Sequence, residues 1–289
     1  MDTKRPSRSL FDRNYKSHAA KAARDDLPYW ALMRHIYDPG DTRFGGGETD
    51  IFHALFEDEQ WLSEPTHAIA GPLTVHQRGR KPIDLRKRKW ISLPAWVESD
   101  ALNFTIHGAK GILAIEKGTV FARLAESAHM RHLNMIFVGT MGIPKVATRR
   151  VLHRLSEQSG LPIYLLADND TWGYFIFSVL KRGMMAPHLA LPYLAVPKIR
   201  FLGARAGEWT KTGRPPEHVL IFWKKYWNLR LRAMRTYPCF KSRSWQDEFS
   251  AFERQGGKFE AVALLGIMGT KSFVREYLEE KLKGRLWLD

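Results

Sequence analysis

Cysteine is nearly missing. Cys239 stands alone among 289 residues, which excludes an internal disulfide and a cysteine-rich zinc site. No stretch approaches about 18 uninterrupted apolar residues, so no membrane span is expected. The opening Met1-Asp2-Thr3-Lys4-Arg5 runs into polar sequence without an apolar h-region, and no secretory signal is expected. A P-loop or other ATP-binding pattern is also lacking, so the chain is not expected to hydrolyse ATP. No internal repeat is visible. These absences point to an intracellular protein, long enough for one large or two modest domains.

Acid is the other scarcity. Thirty Asp and Glu face 45 Lys and Arg, a net charge of +15. Such a field gathers polyanions, and nucleic acid is the commonest of these in a cell. A basic surface kept for solubility, or a ribosome-like partner, is the alternative. The densest run is Arg78 to Lys89, with seven Lys or Arg in twelve residues: Arg78, Arg80, Lys81, Arg86, Lys87, Arg88 and Lys89. Such runs are often merely solvated, but here they are expected to hold backbone phosphates without reading sequence.

Residues 1–24 read as a basic flexible tail. Residues 25–90 carry two helical patterns around Pro39-Gly40-Asp41, which suits a small helix-turn-helix or winged-helix DNA-binding domain. Trp90 to Val97 is expected to link it to a second domain. Three short apolar runs come next: Gly111 to Ile115, Met135 to Val138 and Leu161 to Ala167. Helical compositions, Thr119 to Arg131 and Val146 to Gln158, separate them. Strands alternating with helices predict an α/β fold, a Rossmann-like parallel sheet flanked by helices, over residues 107–289. Gly183 suits the end of the helix after the third strand. Leu189 to Leu202 suggests short strands, and the chain from Glu217 onward reads as mainly helical.

Glu116 closes the first strand, and Asp168 and Asp170 follow the third. Carboxyl ends of parallel strands form the ligand crevice, so the three acids are expected to converge there. Clustered carboxylates repel unless a cation sits among them, and Mg²⁺ is the hard ion such a set suits. Spacing alone leaves open that each acid caps a helix or pairs with Lys or Arg.

The strings Glu116-Lys117, Gly142-Ile143-Pro144, Ala147-Thr148-Arg149-Arg150 and Asp168-Asn169-Asp170 with Gly173 resemble a Toprim domain. The version resembles the A subunit of topoisomerase VI, a type IIB enzyme, and the related meiotic double-strand-break protein. The likeness continues through Val196 to Gly203, Tyr237 to Ser242, Trp245-Gln246, Lys258-Phe259-Glu260-Ala261 and Glu276-Tyr277-Leu278, and upstream to Gly71-Pro72-Leu73. Roughly residues 66–289 are covered in order.

The resemblance implies Mg²⁺ on Glu116, Asp168 and Asp170, and a winged helix carrying a catalytic tyrosine. Arg34-His35-Ile36-Tyr37-Asp38 occupies that motif, with Arg34 a DNA-contact candidate. Where the family uses a tyrosine, this chain has Asp38, and Tyr37 stands one place earlier. Either Tyr37 is the nucleophile in a shifted register, or the chain binds DNA without this cleavage; a core aromatic is the plain alternative. Family members work on double-stranded DNA as homodimers, making a staggered double-strand break through 5′-phosphotyrosyl links. Full activity there calls on a separate ATPase B-type subunit. The competing functions are a cleavage-deficient DNA clamp and a Toprim nuclease using metal-activated water. Arg149 and Arg150 are expected either at a phosphate or on an exposed helix face. Thr140-Met141-Gly142 lacks the lysine of the family's frequent Gly-Lys-Gly. The expected location is the cytoplasm, on the nucleoid, or the nucleus in a eukaryote.

Overall fold

A strand covered on both faces needs no polar alternation, so short runs of Ile, Leu and Val bounded by turns become central strands. The computed structural model describes residues 68–92, 102–183, 194–222 and 226–289. The chain enters as β1 (Ala68–Ala70), β2 (Leu73–Gln77), β3 (Ile83–Asp84), β4 (Ile91–Ser92) and β5 (Leu102–Ile106). The three apolar runs form β6 (Ile112–Ile115), β7 (Ile136–Gly139) and β8 (Ile163–Leu166), and β9 (Ile199–Gly203) comes after them. The main sheet has the order β4-β1-β7-β6-β8-β9. Its last four strands are mutually parallel, while β1 runs antiparallel to β7 and to β4. Strands β3, β2 and β5 make a separate antiparallel sheet.

Helices α1 (Gly118–Ala125), α2 (Val146–Ser159) and α3 (Thr171–Arg182) cross between the parallel strands. Successive strand residues point to opposite faces. Ile112 and Ala114 join the core under α2 and α3, whereas Leu113 and Ile115 join the core under α1. The α/β fold with a parallel sheet between helical layers is therefore as expected. The helix expected over Thr119 to Arg131 ends instead at Ala125. Ser127 stops it by accepting a hydrogen bond from the His129 N–H at 3.2 Å, which starts a 3-10 turn over Ala128–Leu133. Such local side-chain bonding competes with helix continuation. Gly183 does close α3, at φ 83°.

The region after Glu217 holds helices α4 (Tyr226–Met234), α5 (Arg243–Gln255) and α6 (Ala261–Ser272). It also holds an antiparallel strand pair, β10 (Leu220–Phe222) with β11 (Gly257–Phe259), which helical composition concealed. Gly257 permits that pairing, because a Cβ there would sit 3.0 Å from the Ile221 carbonyl oxygen. An aromatic stack fixes α5 on α3: Trp245 lies 4.9 Å from Phe177 and 4.6 Å from Phe240 between ring centres.

Ala68–Ala70, within the 25–90 region expected to be winged-helix-like, form strand β1 of the main sheet, and Ile91–Ser92, within the expected linker, form its strand β4. The rest of that expected domain, 25–67, and the tail, 1–24, lie outside the described residues. No helix among the described residues is long and apolar enough to cross a membrane.

Candidate metal and nucleic-acid site

From β6 the chain passes through α1 to β7 on one side, then through α2 to β8 on the other. The sheet order therefore reverses beside β6, and its carboxyl end adjoins that of β8. Such a switch point opens a crevice between the departing loops. Glu116 leaves β6 and Asp168 to Asp170 leave β8 into that crevice, so all three acids stand on one edge. The Asp168 N–H donates to Glu116 Oε2 at 3.0 Å, tying the two loops together.

Asp170 begins α3. Its Oδ1 accepts from the N–H groups of Trp172 and Gly173, both at 2.8 Å, the usual office of an N-cap carboxylate. Gly173 is required there, since a Cβ would fall 2.2 Å from the Asp168 carbonyl oxygen. Asp168 Oδ1 accepts from the Ala261 N–H at 2.8 Å, and Oδ2 meets the Lys117 ammonium at 3.0 Å. That ammonium also reaches Glu260 Oε2 at 2.8 Å, while Lys258 holds Glu260 Oε1 at 2.6 Å.

All three acids are buried. Burial first, and then the charges of Asp168 and Asp170, push the Glu116 carboxyl up to about 8. Burial lifts Asp168 despite the opposing Lys117 charge, and lifts Asp170 despite its backbone hydrogen bonds. Glu260 behaves differently. Burial pushes it up, but the hydrogen bonds from Lys117 and Lys258 outweigh that and hold it below the ordinary carboxylate range.

These oxygens are the hard donors that suit Mg²⁺. Glu116 Oε1 and Asp170 Oδ2 accept no hydrogen bond from the described residues, so both are free to ligate. The donor chemistry fits. As they stand, no three acids, histidines or cysteines among the described residues gather closely enough to grip one ion. Asp168 instead spends its oxygens on Lys117 and Ala261.

The other expected contacts scatter. Arg78, Arg80 and Lys81 are exposed around the β2–β3 turn. Arg86, Lys87, Arg88 and Lys89, with Arg131, line a cavity of about 410 Å³ floored by Met130, Met135 and Phe137. Met135 and Phe137 mark the amino end of β7, so this basic run sits at the opposite end of the sheet from the acids. Arg149 is a correction: its side chain is buried and its Nη1 donates to the Gly183 carbonyl at the end of α3. It serves the fold and is not presented to a phosphate. Arg150 is half-buried on the same helix. The Thr140–Gly142 turn folds over the site, with the Gly142 N–H donating to the Glu116 carbonyl at 2.9 Å. Tyr37 and Arg34 lie outside the described residues.

Residues 111–282 match the family of Toprim domains described as topoisomerase 6 A-subunit/Spo11. The chain belongs to this family. Curated relatives, each named as the A subunit of type 2 DNA topoisomerase 6, agree along most of its length. The one from Saccharolobus shibatae is 28% identical over 82% of this chain and 63% of its own length. That from Sulfurisphaera tokodaii is 28% identical over 84% and 64%. That from Archaeoglobus fulgidus is 30% identical over 74% and 59%. The chain thus spans less than two thirds of the length of these relatives.

Lys117, Lys258 and Glu260 are site residues that the pattern of three acids did not include. Their only signal in the sequence was membership of the strings Glu116-Lys117 and Lys258-Phe259-Glu260-Ala261. Spacing was silent, because Lys117 and Glu260 lie 143 residues apart.

Proposed function

We propose that the chain is a DNA-cleaving subunit resembling the topoisomerase 6 A subunit, with Glu116, Asp168 and Asp170 holding Mg²⁺. The observation that carries this is the meeting of the three buried acids at the switch point of a Toprim sheet, with the Glu116 carboxyl pushed up to about 8. A crevice that leaves carboxylates short of positive charge suits a divalent cation. Bound there, Mg²⁺ would stabilise charge on a phosphodiester and on its departing oxygen.

The chain's own residues do the rest. The Ala261 N–H and Lys117 fix the Asp168 carboxylate, and the helix-capping bonds, both on Oδ1, leave Asp170 Oδ2 without a hydrogen bond from the described residues. Tyr37 is the proposed nucleophile: its hydroxyl oxygen forms a bond to phosphorus, the bond to the 3′-oxygen breaks, and the proton passes to the departing 3′-hydroxyl. Tyr174 and Tyr277 are fully buried and spent on Glu248 and Glu208, so neither can reach DNA. The exposed cations Arg78, Arg80, Lys81 and Arg86 to Lys89 are proposed to hold duplex phosphates. A homodimer with two such sites, working on the nucleoid or in a nucleus beside an ATPase B-type subunit, completes the reading.

Covalent trapping tests it. Chain, supercoiled DNA and Mg²⁺ are mixed, denatured in detergent, and assayed for protein on 5′ ends. An adduct lost in both Tyr37→Phe and Asp168→Ala is the expected result; an adduct kept in Tyr37→Phe removes Tyr37 from the reaction. Asp38, standing where the family has its tyrosine, favours a second reading as a hydrolytic nuclease. Metal-dependent nicking that survives Tyr37→Phe without an adduct would select it, and tight DNA binding with neither product would select a clamp.

A further inference from the structure

A crevice of carboxylates is a poor host for DNA. Asp168, Asp170 and Glu260 stand where a phosphodiester would have to enter and repel it when ionised, and Glu116 joins them once it loses its proton. Buried Arg230 of α4 acts on Asp170, and two further positive groups placed among the acids are Lys117, from the loop after β6, and Lys258, from β11. Glu260 grips both at once, one ammonium on each carboxylate oxygen, at 2.8 and 2.6 Å. This shared grip brings together two like charges from loops far apart in sequence. It also holds Glu260 ionised, so the grip persists through neutral pH.

Neither ammonium is used up. Each carries three N–H donors. Lys117 directs one to Glu260 and one to Asp168, and Lys258 directs one to Glu260, so three donors remain between them. The Lys117 and Lys258 side chains keep 29% and 21% of their surface open, against 5% for Asp168. Lys117, Lys258 and Glu260, itself 25% open, are thus the outer layer of the site, and Glu116, Asp168 and Asp170 the inner one. Their mounting is firm, because β11 is fastened to the acid loop by Asn169 N–H to Phe259 O at 2.8 Å and Phe259 N–H to Asn169 O at 3.1 Å.

From this we propose that Lys117 and Lys258 form a paired binding site for a backbone phosphate of nucleic acid at the mouth of the acid crevice, with Glu260 as the residue that positions them. The inference rests on the reading of this crevice as a DNA site. Charge-assisted N–H donors suit non-bridging phosphate oxygens. The two ammoniums also answer an electrostatic need, since they offset the acids along the path of the incoming anion. The competing role for the pair is internal: to neutralise Asp168 and Glu260 and nothing more.

Salt dependence separates the two roles. Full-length chain is titrated with fluorescent duplex DNA in EDTA over a series of KCl concentrations. Each phosphate contact contributes about 0.9 to the slope of log K against log salt. Lys117→Met and Lys258→Met are each expected to lower that slope by about 0.9, with affinity falling similarly on unrelated sequences. Lys283→Met, at an exposed lysine of the short helix Glu279–Lys283, is the control. Unchanged slopes in both site variants, or an equal fall in the control, overturn the proposal. Should the methionine variants fail to fold, Glu260→Gln decides: without the carboxylate that gathers both ammoniums the pair separates, so the slope is expected to fall by about 0.9 or more. An unchanged slope in folded Glu260→Gln counts against the pair. If the unaltered chain binds no DNA at all, it is the proposed function that falls.

Discussion

Asp168, Asn169 and Asp170 are consecutive, yet the loop presents two unlike chemistries. Asn169 points inward and is fully engaged. Its backbone exchanges both hydrogen bonds with Phe259, its Nδ2 donates to the Tyr174 hydroxyl and to Glu248, and its Oδ1 accepts from Gln255. Glu248 in turn accepts from the Ala206 N–H at 2.7 Å and pairs with Arg205 at 3.0 Å. Its neighbours on either side keep carboxyls lifted by burial. One residue anchors the loop with every polar group matched, and the two beside it hold carboxyls that burial destabilises, Asp168 in spite of its Lys117 partner. The difference shows how a folded chain can hold repelling acids: the stability comes from the side of the loop that does no chemistry.

Breaking the anchored side should have the largest effect. Glu248→Ala strands the Arg205 charge, the Ala206 N–H and the Asn169 amide together. Removing one partner of a buried pair costs about 3–5 kcal/mol. Because Arg205 keeps 29% of its side-chain surface open, the lower end is expected. Urea unfolding would read it, and a loss below about 1 kcal/mol would deny the anchor its role.

The acid side should respond with the opposite sign. Glu116 is pushed up to about 8 in the folded chain, against an ordinary 4.5. Between those values the folded state keeps a proton that the unfolded state has released, so stability falls as pH rises from about 4.5 to 8. The slope is at most about 1.4 kcal/mol per pH unit. Urea midpoints in EDTA should therefore decline from pH 5.5 to 7.5, and Glu116→Gln should flatten the decline. An identical pH profile in Glu116→Gln would show that Glu116 is not the strained group.

The sequence revealed this site unevenly, for physical reasons. Strands β6, β7 and β8 were legible because burial on both faces demands unbroken apolar runs, and each acid announced itself by ending or following one. Gly183 was legible as a left-handed helix end, whereas Gly173 stood only in the family string and its tight approach to Asp168 came with the fold. The anchor was not. Glu248 and Gln255 look like ordinary polar positions on an amphipathic helix, and only the aromatic packing of Trp245 turns them toward Asn169. Strand β10 was hidden because its partner, β11, lies beyond two helices. Arg149 misled because a cation beside a turn looks like a phosphate ligand until burial shows its guanidinium on a helix end.

Asp170 joins both chemistries, and a pair of substitutions should divide them. Asp170→Asn keeps an oxygen able to cap α3 and removes the charge, whereas Asp170→Ala removes both. Loss of the cap costs about 1 kcal/mol. The alanine variant should therefore unfold at lower urea than the asparagine variant, while both lose Mg²⁺ affinity by calorimetry. Equal stability in the two would mean that the cap contributes nothing.

The smallest effect on stability belongs to the far end of the sheet. Lys89 lies 4.0 Å from Glu126, with 69% and 53% of the two side chains exposed. Water screens such a pair, and its loss is worth about 0–1 kcal/mol. Lys89→Ala should leave the urea midpoint almost where it was. Its slope of log K against log salt for duplex DNA should nevertheless fall by about 0.9, if the basic run grips phosphate. At the acid edge every charge is coupled to the fold, so binding and stability change together. At the amino end the charges stand clear of the core, and binding should change alone. A Lys89→Ala chain that loses several kcal/mol, or keeps its full salt slope, would erase that distinction and leave the acid crevice with its two lysines as the better account of the proposed DNA contact.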